Sequence, residues 1–233
     1  MRNKYVFFFF AVSLLSFIFF LSDSFFSVTN DSDLNINAKI FNIEDQVVHI
    51  DTPLIIIDYH ENNIVLGKLQ VPDSIVNQMT LLNVEYFGFD SLIHQGQIVI
   101  HHTVADEISL IFKELLIEKF PIEKVIPAVY YNWDDDLSMH DNNTSSFNYR
   151  LVANSSKLSS HALGLAVDIN PRMNPYIDRS GNTFPSNGTY NISQQGTITD
   201  SSQCFKIFRK YGWKWGGHWH YSKDYQHFSK DGR

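Results

Sequence analysis

Four residues in the second half of the chain are of types, and at spacings, that can do chemistry. They are His161 and Asp168 in SSHALGLAVDINP (Ser159–Pro171), and Asp224 and His227 in DYQHF (Asp224–Phe228). A catalytic zinc takes three protein ligands, usually imidazoles and a carboxylate, and leaves a fourth position to water. His161, Asp168 and His227 can fill that role. Asp224 lies close enough to His227 for a helical turn or bulge to aim both at one point, and it suits a general base. Zinc lowers the pKa of bound water toward roughly 7, and a neighbouring carboxylate can accept that proton and later deliver it to a leaving amine. Arg150, in TSSFNYR, is a candidate to stabilise an oxyanion or hold a substrate carboxylate. Taken singly, each has an ordinary reading: Asp168 as a strand-end cap, Arg150 as a surface ion pair, Asp224 as a turn residue. The single cysteine, Cys204, rules out an intramolecular disulfide, a zinc ribbon and a CxxC redox site, so any metal must be held by His, Asp or Glu.

The elements that carry these residues must bend. A separation of seven puts His161 and Asp168 on opposite faces of a continuous strand, and Gly164 sits where the chain has to turn for them to converge. Leu165 to Ile169 then reads as a short strand, with Leu165, Val167 and Ile169 facing one way and Ala166 and Asp168 the other. Upstream, Gly96–His102 reads as a strand. Thr103 is placed to cap a helix with Asp106 at the capping-box position and an apolar stripe at Val104, Ile108, Ile111, Phe112, Leu115 and Leu116, stopped by Pro121 soon after Phe120. A second helix is signalled by Asp200 with Gln203, runs through Phe205 and Phe208 and ends at Gly212. Between them, Arg172–Thr199 is rich in Asn, Gly, Ser, Thr and Pro and reads as a long irregular loop holding a short hairpin. Helices and strands without regular βαβ alternation point to an α+β fold.

A chain of 233 residues, 44% of them hydrophobic, can bury one sizeable core, which argues for one catalytic domain with appendages. The formal net charge of −7, with no basic run, argues against nucleic acid as a partner. At the N-terminus, Arg2 and Lys4 precede an apolar run from Tyr5 to Leu21, an export signal. Seventeen helical residues span about 25 Å, slightly short of the hydrocarbon core of a bilayer, so a cleaved signal peptide and a retained membrane anchor are both physically possible. Residues 23–83 read as a β-rich accessory extension. Its His49 and His60 lack closely spaced partners and are taken as ordinary residues.

The pattern SxHxxGxAxD followed at a distance by DxxH resembles the zinc D-alanyl-D-alanine carboxypeptidases of the VanY type and the related phage L-alanyl-D-glutamate endopeptidases. Further likeness lies in VEYFGFD (Val84–Asp90), FPI (Phe120–Ile122), the Asp134–Asp136 run with Ser138 and Met139, NNTSSFNYR, INP with NPY, and WGG (Trp215–Gly217). The resemblance spans residues 84–228. It implies a hedgehog/DD-peptidase-like fold, a central antiparallel sheet flanked by helices, in a catalytic domain over residues 84–233, and leaves the signal or anchor at 1–22 and the β-rich segment after it unexplained. It implies one Zn2+ per chain, bound by His161, Asp168 and His227, with Asp224 as the catalytic carboxylate where relatives more often have Glu. Arg150 matches the arginine of substrate or transition-state binding, and Ser159 a substrate contact.

Two departures stand out: Tyr149 where many relatives have Cys, and His218 where many have Asp after WGG. His218 and nearby His220 are taken as surface or substrate-loop residues. The implied partners are peptidoglycan stem peptides, met outside the cytoplasmic membrane in the cell envelope, with the membrane touched only through the N-terminal segment. The bond, whether D-Ala-D-Ala or L-Ala-D-Glu, stays open. A catalytically inactive, zinc-stabilised wall-binding module is the alternative. It would need neither a base nor an oxyanion partner, and this chain has candidates for both.

Overall fold

The computed structural model describes residues 55–58, 71–152 and 155–232. The apolar N-terminal run, His49 and His60 lie outside the described residues. By spatial contact the chain separates into Met1–Thr52 and Pro53–Arg233, and the described residues belong to the second unit. Among the described residues, no helix is long and apolar enough to cross a membrane.

Strand β1 (Ile55–Ile57) and a single helical turn, α1 (Asp73–Val76), precede a long hairpin of β2 (Met79–Phe87) and β3 (Ile93–His101). β2 pairs with β3 antiparallel, from Met79 opposite His101 to Phe87 opposite Ile93, and β1 adds in parallel on the other side of β3. A domain boundary between residues 83 and 84 would cut this ladder in the middle of β2. The accessory reading of residues 23–83 therefore fails at its C-terminal end, because the strand that starts at Met79 is one element. Helix α2 (Ala105–Ile117) buries Ile108, Ile111, Phe112 and Leu115, four of the six stripe residues read from the sequence, while Val104 is buried just before it and Leu116 is half-buried. Its start differs from expectation. A short 3-10 turn at His102–Val104 comes first, and the His101 Nδ1 accepts from the Thr103 N–H at 3.2 Å, so Thr103 is not the cap. Asp106 and Glu107 still occupy the first turn, where the helix dipole favours them.

The pair β4 (Lys124–Val125) and β5 (Asn143–Thr144) flanks α3 (Asp135–His140). Next come β6 (Ala166–Asp168), the hairpin β7 (Tyr176–Ile177) with β8 (Thr183–Phe184), helix α4 (Gln203–Lys210), β9 (Lys214–Trp215), β10 (Lys223–Asp224) and β11 (His227–Ser229). Helix α4 is capped by the Ser202 hydroxyl, which accepts from Phe205 N–H at 3.3 Å. Asp200, expected there, is engaged with the His218 Nε2 instead. The α+β class agrees with the sequence reading, but a single central sheet does not describe the molecule. Strands group as β1-β3-β2, β6-β11-β9, β10-β7-β8 and β4-β5. Strands of two or three residues end after one or two ladder bonds, so the sheet is divided and loops connect the parts.

The core lies between α2, α4 and the inner faces of these sheets. Val167 and Ile169 point into it, as do Phe208 and Phe228, whose rings stack at 4.1 Å. Two buried amides fix the loop that follows β6. Asn170 donates from Nδ2 to the Pro121 carbonyl at 2.8 Å and accepts from the Glu123 N–H at 3.1 Å. Asn174 donates to the Gly196 carbonyl at 2.9 Å and accepts from the Ile198 N–H at 2.7 Å. Backbone groups that a longer sheet would pair are satisfied here by side chains.

Candidate metal centre and its cavity

Register alone brings two of the four chemical residues together. In the β6–β11 ladder Asp168 stands directly opposite His227, and Val167 opposite Phe228. Opposed residues share a face, so when Val167 and Phe228 enter the core, Asp168 and His227 emerge together on the other side. His227 Nδ1 lies 2.9 Å from Asp168 Oδ1. His161 reaches the same point by the bend expected at Gly164. A 3-10 turn at His161–Leu163 ends at Gly164 with φ of +62°, and a Cβ there would sit 2.6 Å from the His101 nitrogen. Both the left-handed backbone and the close approach require glycine.

His161 Nε2 is 3.2 Å from Asp168 Oδ2 and 3.2 Å from His227 Nδ1. The other nitrogen of His161, Nδ1–H, donates to the Ser146 carbonyl at 2.7 Å, which fixes the tautomer and leaves Nε2 as the lone-pair donor. All three residues are buried, and their ligand atoms lie within 4.8 Å of one another. The 2.9–3.2 Å separations are close to the about 3.3 Å edge of a tetrahedron drawn with zinc–nitrogen bonds of about 2.0 Å, so the donor set fits a small divalent cation. Burial alone would raise the Asp168 carboxyl. The charges and hydrogen bonds of His161 and His227 outweigh it and hold that carboxyl well below the usual carboxylate range.

Asp224 arrives from a different sheet. Tyr225 and Gln226 form a bend, not a helical turn, between β10 and β11, and this bend sets Asp224 beside the trio. Gly216 of the WGG segment makes room for it, since a Cβ on Gly216 would lie 2.6 Å from the Asp224 carbonyl oxygen and 3.2 Å from the His227 Cβ. The residue as a whole is half-buried, yet its Oδ1 is enclosed and has no hydrogen-bond partner in the protein. Removal from water pushes its carboxyl up to about 7. The nearby Asp168 charge adds to the rise, while His227 and His161 oppose it. A carboxylate in that range is suited to proton transfer near neutral pH.

Arg150 and Ser159 lie on neighbouring antiparallel segments, with the Ser159 N–H donating to the Arg150 carbonyl at 3.1 Å. The Arg150 Nη2 pairs with Asp135 Oδ2 at 2.8 Å, while its Nε is buried without a partner. The Ser159 Oγ accepts from the Ala162 N–H at 3.1 Å and so braces the turn that carries His161. One cavity of about 720 Å3 is lined by Arg150, Ser159, Asp224 and the His161–Asp168–His227 trio together. That volume is in the range of small-molecule and peptide sites. His218 and His220 are exposed, and neither lines this cavity.

Other cavity residues were not singled out by sequence. Asp135 aligns Arg150. Gln226 donates from Nε2 to the Met139 sulfur at 3.5 Å and leaves its Oε1 buried without a partner. Tyr176, Phe184 and Trp219 add aromatic wall. Asp135 sat in a run already noticed, and Gln226 within DYQHF. The aromatics carried no local signal.

Residues 153–230 match the family model described as D-alanyl-D-alanine carboxypeptidase. The matched stretch is about a third of the chain and holds Ser159, His161, Asp168, Asp224 and His227, while Arg150 lies just before it. No curated protein and no solved structure matches the chain. The part of the molecule that builds the cavity's buried trio is thus also the part similar to a family of peptidases.

Proposed function

We propose that this chain is an exported, zinc-dependent peptidase that hydrolyses a peptide bond in bacterial cell-wall stem peptides. The observation that carries the reading is the buried His161–Asp168–His227 trio facing the same cavity as the enclosed, unpartnered Asp224 Oδ1. The peptidase-family similarity over residues 153–230 supplies the class of reaction. The signal-like run from Tyr5 to Leu21 would take the domain to where such substrates lie.

His161 through Nε2, His227 through Nδ1 and a carboxylate oxygen of Asp168 would hold the metal. When bound, zinc supplies Lewis acidity and makes water a nucleophile near neutral pH. Asp224 takes the proton of the attacking water as the new carbon–oxygen bond forms. It then gives that proton to the amine nitrogen as the carbon–nitrogen bond breaks, leaving a carboxylic acid and an amine, which part as carboxylate and ammonium. Arg150 binds negative charge, either on the carbonyl oxygen or on a substrate carboxylate, with Asp135 holding the guanidinium in place. Ser159 frames the wall of the cavity through its backbone and can offer its hydroxyl proton to substrate.

The test is mass spectrometry of muropeptides before and after incubation with the zinc-loaded protein. Loss of terminal D-alanine identifies a carboxypeptidase, and loss of the stem beyond L-alanine an endopeptidase. Unchanged muropeptides at full zinc occupancy would sink the reading in favour of a zinc-stabilised binding module.

A further inference from the structure

The sheet β10-β7-β8 places three cavity residues in one row. Asp224 stands opposite Tyr176 across β10 and β7, and Tyr176 stands opposite Phe184 across β7 and β8. Directly opposed residues share a face, so the carboxylate and both rings point into the same space, and all three line the cavity. Their neighbours Lys223, Ile177 and Thr183 fall on the other face. The Lys223 Nζ is spent there on the Gly217 and Trp219 carbonyls at 3.1 and 2.8 Å.

The two rings lie 6.0 Å apart and are tilted by only 31°, so together they form a shelf beside Asp224. Phe184 keeps 39% of its surface exposed, although burial would favour a large apolar ring being covered. The shelf is held firmly. Asp178 Oδ1 accepts from the N–H groups of Ser180 and Asn182, both at 2.8 Å, which closes the turn between β7 and β8.

Strand spacing sets the reach. One strand step of about 4.8 Å separates Tyr176 from Asp224, and two carry Phe184 about 10 Å away, the length of about three extended residues. Asp224 hands its proton to the leaving amine, so the row that begins at Asp224 is assigned here to the amine side of the scissile bond. A single released alanine would end well short of Phe184.

We infer that Tyr176 and Phe184 form a subsite for the peptide on the amine side, taking apolar groups two to three residues beyond the scissile bond, and that the preferred substrate is therefore cleaved internally. This rests on the peptidase reading and narrows it to endopeptidase-type substrates. The experiment compares the stem pentapeptide with versions truncated from the C-terminus, using the zinc-loaded full chain. Cleavage is expected at a bond with at least two residues on its amine side, and kcat/KM should fall about tenfold as those residues are removed, the size of a lost aromatic contact.

Phe184→Ala should flatten that dependence on length. Phe184→Tyr should restore it, and Thr183→Ala, on the opposite face, should leave it as in the wild type. Terminal D-alanine as the main product, or a length preference that survives Phe184→Ala, overturns the inference. If the wild-type protein cleaves nothing, the peptidase reading has failed, and the shelf is judged by calorimetric binding of the same pentapeptide. Affinity lowered by Phe184→Ala upholds the subsite, and equal affinity removes it.

Discussion

The two halves of the cavity are built on opposite plans. His161, Asp168 and His227 are buried and in contact with one another, Asp168 and His227 through their ladder register, with the outer nitrogen of His161 tied to the backbone. Around them, Arg150 Nε, Asp224 Oδ1 and Gln226 Oε1 are each enclosed with no partner in the protein. A buried polar atom left unpaired costs about 1–3 kcal/mol, so three at one cavity is a sizeable concession by the fold. The trio is a group that could bind a metal ion. The perimeter instead leaves a donor and two acceptors with which a bound molecule could pair.

The largest effect should come from breaking the trio. His161→Ala, Asp168→Ala or His227→Ala should each take zinc from about one per chain to a small fraction, and activity with it, because loss of a ligand opens the coordination sphere. Elemental analysis beside hydrolysis rate reads both, and wild-type zinc in any of the three would show the site to be misplaced. The perimeter should respond differently. Asp224→Ala should keep the metal and lower turnover by about a hundredfold, the usual scale for an acid–base group, with Asp224→Glu the mildest change. Near-wild-type turnover in Asp224→Ala would remove the assigned base.

A smaller effect sharpens the same contrast without any substrate. The Asp224 carboxyl is raised in the folded protein from 3.8 to about 7. The folded state therefore binds this proton more tightly than the unfolded state does. The stability associated with it is complete below about pH 4 and is lost as pH rises to about 7. In the metal-free protein, Asp224→Asn should match wild type near pH 4 and melt at a higher temperature than wild type above pH 7. Thermal melts in chelator across that range would show it, and a constant offset at all pH values would mean the carboxylate is solvated. The smallest effect is expected at Asp135→Asn, which weakens one charged contact of a partly exposed pair. It should raise KM about fivefold with kcat little changed if Arg150 binds a substrate carboxylate, and lower kcat instead if it binds the oxyanion.

What the sequence disclosed follows the range of the forces involved. The stripe of α2, the alternation of β6 and the bend at Gly164 are local patterns, and each is where the residues put it. The convergence of His161, Asp168 and His227 was anticipated from ligand types and motif resemblance, and the β6–β11 register gives its geometry. Capping was read less well. Asp200 and Thr103 had the right side chains for caps, but Ser202 and His101 took those roles through contacts that spacing does not specify. The aromatic shelf was invisible, because Tyr176 and Phe184 acquire meaning only from pairing with β10, far away in sequence.

The buried amides Asn170 and Asn174 have a consequence for how this molecule could change over time. They pin the chain on both sides of the β7–β8 hairpin, at Pro121 and Glu123 on one side and at Gly196 and Ile198 on the other. The hairpin is thereby an interchangeable cassette between two fixed posts. Its residues could be rewritten while the trio and the core behind it stay as they are.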